Sequence, residues 1–319
     1  MSFAEGNLRS GLAVQKEHRF AGQLAILAAA FLWSTSGLFI KLLDWHPIVI
    51  AGTRSFLAVL FLLIVRLVSP PPKGTKNRAF PLWACAFSFA FTVITYVYAL
   101  KLTTAANTIL LQYGAPVWAA LLGWYFVKEK PHWEQWGALA LVMAGLLLFF
   151  RGGLGQGAFL GNILAIVSGI LLGAHSVFLR MLKDGHPMDA LLLSHVIIAV
   201  ISIPFIFLYP PNFTPSTILP ILYMGIIQMG VASLFFSYGI KRTTAIQAML
   251  TAIIDPILNP VWVLIVLGEK PSLWALLGGA IIITSVVASS VIGMRRGTVD
   301  AEGAGSRRTG RSQNASGSQ

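Results

Sequence analysis

The sequence predicts an all-α integral membrane protein: ten transmembrane helices, built as two inverted five-helix repeats around a central cavity. Three observations carry this. The 319 residues are 56% hydrophobic and only 11% charged, about half the ~25% charged share of a soluble domain. Ten apolar runs each reach the ~20 residues needed to cross a hydrocarbon core. The second half of the chain also repeats the first at a nearly fixed offset.

The formal charge of +12 is explained by where it sits. With the N-terminus inside, eighteen of the 23 Lys and Arg residues fall on the inner side, four (Lys41, Lys101, Arg151 and Lys270) on the outer side, and Arg54 within a span. That is the positive-inside pattern. It puts both termini in the cytoplasm, with the lipid bilayer and not nucleic acid as the partner of the basic charge.

The runs lie near 21–43, 47–68, 79–100, 104–127, 132–150, 159–181, 187–208, 217–240, 243–267 and 271–293. At ~23 apolar residues the first is too long for a signal-peptide core, and "WSTSG" sets Trp33, Ser34, Thr35 and Ser36 in its middle. The second carries Arg54 about seven residues from its outer end, ~10 Å deep at 1.5 Å per residue. In the third, Ser88, Thr92, Thr95 and Tyr96 share one face, and Cys85 is the only cysteine of the chain. A disulfide within the chain and a cysteine-based metal site are thereby excluded. The fourth brings Gln112, Tyr113, Pro116 and Trp118. Spans six and seven place His175 and His195 ~9 and ~12 Å from the inner surface, near enough to be neighbours. They are candidates for a proton relay, or else packing histidines.

Span nine is the most unusual. "IIDPILNPVW" (253–262) puts an aspartate, an asparagine and two prolines into an oily run. Gln247, Thr251, Asp255 and Asn259 recur every four residues, which on an unbroken helix is one face. Pro256 and Pro260 lack an amide hydrogen and release the carbonyls of Ala252 and Pro256. A polar stripe beside helix-breaking prolines suits a wall of a wet cavity. Asp255 lies ~18 Å from the inner surface, a depth matching that of Arg54. The two are read as a structural ion pair, or as holders of the ammonium and carboxylate of a zwitterion, or with Arg54 snorkelling.

The repeat is seen at an offset of 140, which lays "YALKLTTA" (98–105) on "YGIKRTTA" (238–245), Pro116 on Pro256, and the "EKP" and "HP" of the first half on those of the second. The chain therefore divides into a cytoplasmic segment 1–20, a first repeat 21–150, a Gly-rich joint 151–158, a second repeat 159–293 and a Gly-, Ser- and Arg-rich tail 294–319 expected to be disordered. Five spans per copy invert the second copy, an arrangement that recurs in secondary transporters with a site at the repeat interface. The chemistry of the copies differs: Asp255 maps to Ala115, Asn259 to Ala119 and Thr251 to Leu111.

"LAAAFLWSTSGLFIK", "GTRSFLA", "KEKP" and "GEKP", in this order and spacing, resemble the drug/metabolite transporter superfamily, in its EamA-type branch, and within it the aromatic amino-acid exporters of the YddG type. Lys128 stands where that pattern has glycine, which bears on the loop after span four. The resemblance implies a ten-span exporter of amino acids, aromatic or neutral, or related small metabolites. The substrate-site candidates are Asp255, Asn259, Thr251, Gln247, Arg54, Tyr113, Gln112, Trp33, Thr35 and Tyr96. Export of cationic drugs, a channel and an embedded enzyme are the alternatives. Metalloprotease, nucleophile-elbow and P-loop motifs do not occur, so neither enzyme activity, cofactor nor metal is expected. Energy would come from protons or from the substrate gradient, and the unit is a monomer or an oligomer of unspecified size.

Overall fold

The computed structural model describes residues 20–70, 78–128, 133–152, 158–243, 245–252, 254–270, 273–274, 276–285, 287–288 and 292. The predicted N-terminal segment, the centre of the joint and the tail lie outside them. Among the described residues the chain is all helical, without a strand. Seven helices are long and apolar enough to cross a membrane: α1 (Phe20–Leu42), α2 (Pro47–Val68), α3 (Ala79–Leu102), α4 (Ala105–Phe126), α6 (Phe159–Met181), α7 (Pro187–Leu208) and α8 (Pro215–Ile240). Between and after them come α5 (Trp133–Gly152), α9 (Ala245–Thr251, then Ile254–Leu267) and the short apolar α10 (Leu276–Ser285). Span nine is thus two pieces, and of span ten the described residues are helical at 273–274, 276–285, 287–288 and 292.

The helix starts follow from the sequence. Proline opens α2, α7 and α8, where its missing amide hydrogen costs no helical bond and its fixed φ suits the first turn. Thr104 caps α4 by accepting from the Asn107 amide at 3.1 Å. At the end of α9, Gly268 takes a left-handed φ of 68° and its amide returns to the Leu264 carbonyl at 3.0 Å, a C-terminal cap that favours glycine.

Packing runs between the two halves. Helix α3 lies along α6 and α7, α2 lies along α7, and α8 returns against α2. One buried cluster joins Ile50, Phe89 and Val97 to Ile198, Met224 and Val263, so the core is shared across the halves. At the α2–α7 crossing there is no room for a side chain. A Cβ on Gly52 would lie 2.1 Å from Cβ of Ser202, the close approach by which membrane helices gain dispersion contacts.

Ion pairs tie both ends of α2's neighbourhood. Near its start, Lys41 Nζ is 2.9 Å from Glu269 Oε2, while Glu269 Oε1 accepts from the Ala105 amide at 2.7 Å. The glutamate of "GEKP" therefore sits at the positive N-terminal end of α4, where an anion is favoured. Near the other end of α2, Arg66 pairs with Asp189 at the start of α7. Between α1 and α2, His46 stacks on Tyr209 with ring centroids 4.1 Å apart, and burial pushes its imidazole below its ordinary pKa.

Lys128 occupies the position one repeat before Gly268 and shares its left-handed backbone, with φ of 61°. A non-glycine residue there carries strain of about 1–2 kcal/mol. Lys128→Gly is expected to raise stability by about 1 kcal/mol, seen as a higher unfolding midpoint in detergent; a lower midpoint would contradict the strain.

Candidate functional site

Three helices lose their regular hydrogen bonding near mid-length. Helix α1 turns at Thr35, where Ser34 and Thr35 hydroxyls bond back to the carbonyls of Phe31 and Leu32, both at 2.7 Å, a habit that bends helices. Helix α4 breaks at Tyr113–Gly114, just before Pro116. Helix α9 breaks after Thr251, just before Pro256. A fourth, α8, is π-helical over Tyr223–Val231, the i→i+5 form that recurs at functional sites.

These irregular segments converge on one cavity. Trp33 and Ser36 line it from α1, Arg54 from α2, Phe89, Thr92, Val93 and Tyr96 from α3, and Gln112 and Tyr113 from α4. Leu172 comes from α6, Gln228 and Met229 from α8, and Met249, Ala252 and Asp255 from α9.

The carbonyl that Pro256 releases is recovered. Ala252 O accepts a hydrogen bond from the Tyr113 hydroxyl, so the two broken helices are stitched to each other at their breaks. Asn259 is fully buried and donates to Ser36 Oγ at 3.1 Å and to Tyr96 Oη at 3.2 Å, and Ser36 and Tyr96 share a further bond of 2.8 Å. This trio fastens α1, α3 and α9 together. Gln112 Nε2 donates to Ser168 Oγ at 2.6 Å, which fixes α4 on α6.

Arg54 is fully buried, and none of its three guanidinium nitrogens has a hydrogen-bond partner among the described residues. Oδ1 of Asp255 is buried and equally unpartnered. Among the described residues Lys41 pairs with Glu269 and Arg66 with Asp189, and no ion pair joins Arg54 to Asp255. Tyr96 lies within electrostatic range of both charges. Asp255 falls in the first turn of the second piece of α9, the positive end of the helix dipole, where a carboxylate is favoured. Arg54 has no comparable compensation in mid-helix.

Other expectations are corrected by the same break. Thr251 closes the first piece of α9 and Asp255 lies in the first turn of the second, so the spacing of four does not carry one face through, and Thr251 is not among the cavity-lining residues. The Gln247 side chain lies outside the described residues. Thr35 bonds to Tyr223 Oη at 3.2 Å and holds α1 to α8; it does not line the cavity. Pro116 and Pro256 each follow a break, but Pro260 sits inside a continuous helix, which tolerates the loss of one hydrogen bond. His175 and His195 are indeed neighbours of a kind. Both pack on Phe89, at 4.5 and 5.6 Å between ring centroids, but their Nδ1 atoms turn to Cys85 and to Ser55, and neither lines the cavity.

Gln228 and Met229 were not anticipated. A single glutamine midway along an apolar span was the available signal for the first. The π-helical register that brings both neighbours to the cavity wall has no such sequence mark.

Two stretches of the chain, 20–151 and 159–291, match the EamA-like transporter family. The protein belongs to that family, and is a multi-pass membrane protein of a transporter class. A transporter of Archaeoglobus fulgidus, uncharacterized in activity, is 25% identical over 283 residues, covering 82% of this chain and 95% of the relative. YwfM of Bacillus subtilis, likewise an uncharacterized transporter, is 26% identical over 295 residues, covering 87% and 96%. Mouse solute carrier family 35 member G1 is 26% identical over 137 residues, 41% of this chain and 36% of the carrier. A solved crystal structure shares the fold with a TM-score of 0.66 at 19% identity, over 86% of this chain and 98% of its own.

Tyr113→Phe removes the side-chain donor to the Ala252 carbonyl, which keeps the Asp255 amide at 3.1 Å. Loss of one such hydrogen bond costs roughly 0.5–1.5 kcal/mol, so this variant is expected to unfold at a lower temperature or denaturant concentration in detergent. An unchanged midpoint would mean that the stitch between α4 and α9 is dispensable.

Proposed function

We propose that the protein is a secondary transporter that exports amino acids, aromatic or neutral, or related small metabolites, by alternating access across the bacterial inner membrane. The observation that carries the reading is the pair of opposite charges, Arg54 and Asp255, lining one cavity without neutralising each other. An arginine at the centre of a membrane helix costs about 3 kcal/mol even on the lenient insertion scale. A zwitterion offers each charge its partner at once: carboxylate to Arg54, ammonium to Asp255. Trp33, Phe89, Tyr96 and Tyr113 surround the space between with aromatic surface.

The ten-span, inverted-repeat arrangement belongs to the same proposal, with repeats 21–150 and 159–293. It is supported by the two family matches in tandem and by the breaks of α4 and α9, which fall one repeat apart. The packing of α3 on α7 and of α8 on α2 exchanges into itself when the halves are swapped. The bridges of Lys41 and Arg66 to the second half are then the ties that must part in turn at either face. Proton coupling through His175 and His195 would have to pass Phe89, and flux with and without a pH gradient tests it.

Labelled aromatic or neutral amino acids are expected to cross proteoliposome membranes with saturation. Asp255→Asn and Arg54→Gln should each lower the flux at least tenfold, and the double variant should not recover it. Arg54→Gln should unfold no more easily than the parent, because it removes an uncompensated buried charge. Recovery in the double variant would favour the structural pair. Transport of cationic drugs alone, dependent on Asp255 and indifferent to Arg54, would favour a multidrug exporter, and ohmic currents without saturation a channel.

The topology makes its own prediction. Cysteines placed at Lys73 and Asn212, in a Cys85→Ala background, should be labelled from the inside and the outside of intact cells respectively, because basic loops stay in the cytoplasm. Labelling of Lys73→Cys from outside would reverse the orientation.

A further inference from the structure

Beyond the two charges, the cavity wall holds a second, uncharged pair of unsatisfied groups. Gln228 is fully buried, and its Oε1 has no hydrogen-bond partner among the described residues. The amide cannot be turned over to hide that oxygen. Its Nε2 donates to the carbonyl of Trp33 at 3.3 Å, and exchanging the two atoms would set oxygen against oxygen. The indole Nε1 of Trp33 is itself buried and unpartnered, while its ring is held against Phe236 at 5.0 Å between centroids.

Both side chains line the same cavity as Arg54 and Asp255. An amide oxygen only accepts and an indole N–H only donates. Their neighbourhood is also rigidly positioned: Tyr223, which opens the π-helical segment carrying Gln228, bonds to Thr35 of α1 at 3.2 Å. Buried polar groups of this kind are normally paired, and the group that satisfies an acceptor and a donor together is one that both donates and accepts.

We infer that Trp33 Nε1 and Gln228 Oε1 form a side-chain recognition pole, which selects substrates bearing a hydroxyl or a primary carboxamide on the side chain. The inference rests on the reading in which Arg54 and Asp255 hold the head group of an amino acid. With the head fixed by two charges, the polar end of the side chain reaches the Trp33–Gln228 pole. Purely hydrocarbon side chains leave both groups unsatisfied and are rejected, in the way that sites built to bind a hydroxyl discriminate against analogues lacking it.

The test compares near-isosteric pairs, tyrosine with phenylalanine and threonine with valine, as labelled substrates of the full chain in proteoliposomes. The expected result is a preference of at least tenfold for the hydroxylated member of a pair that is transported. Gln228→Leu and, separately, Trp33→Phe should bring that ratio toward one. Trp33→Phe keeps an aromatic ring, so it serves where the leucine variant does not assemble. Equal handling of both members by the parent, or an undiminished ratio in either assembled variant, overturns the pole while leaving the zwitterion reading in place. Saturable transport of no amino acid at all overturns both.

Discussion

A polar group inside a membrane has no water to fall back on, and this constraint organises the structure. Each irregularity in a helix frees backbone groups that the protein itself must satisfy. Helix α9 breaks before Pro256, and the carbonyl of Ala252 that proline cannot serve is taken by the Asp255 amide and by Tyr113. The Trp33 carbonyl beside the turn in α1 receives Gln228. The Asn259 amide donates to Ser36 and Tyr96, which share a further bond, across three helices. The repairs are themselves the contacts that hold the walls of the cavity together, so irregularity and cohesion have a common origin.

Against that background the exceptions are informative. Arg54, Asp255, Trp33 and Gln228 keep unpartnered atoms on one cavity wall. Their desolvation is tolerated because the rest of the fold over-determines their positions: α2 is clamped to α7 by a contact too close for a side chain at Gly52, and α8 is tied to α1 at Tyr223. An unsatisfied group held rigidly is poised to bind, since it needs no reorganisation when a ligand arrives.

The two halves share a plan without sharing a chemistry. Glycine and lysine occupy equivalent left-handed positions after α9 and α4, and both helices break at equivalent points. Yet the charge, the asparagine and the second proline belong to α9 alone. The cavity is lined unequally as a result: charges come from α2 and α9, and aromatic rings from α1, α3 and α4.

Much of this was legible in the sequence. Hydrophobic run length set the spans to within about two residues for α2, α3, α4, α6 and α7, because the bilayer dictates length and composition directly. Glycine in the "GEKP" turn, proline at helix starts, and the fate of the Ala252 carbonyl followed from local backbone chemistry. Arg54 and Asp255 announced themselves by their cost. What the tertiary structure alone decided was direction and pairing. Spacing defines a face only while a helix stays regular, so the break after Thr251 parted Thr251 from Asp255, and the π-helical turn brought Gln228 to the cavity unannounced. Whether Arg54 meets Asp255, and whether two histidines touch each other or a phenylalanine between them, depends on distances between helices that no periodicity along one helix encodes.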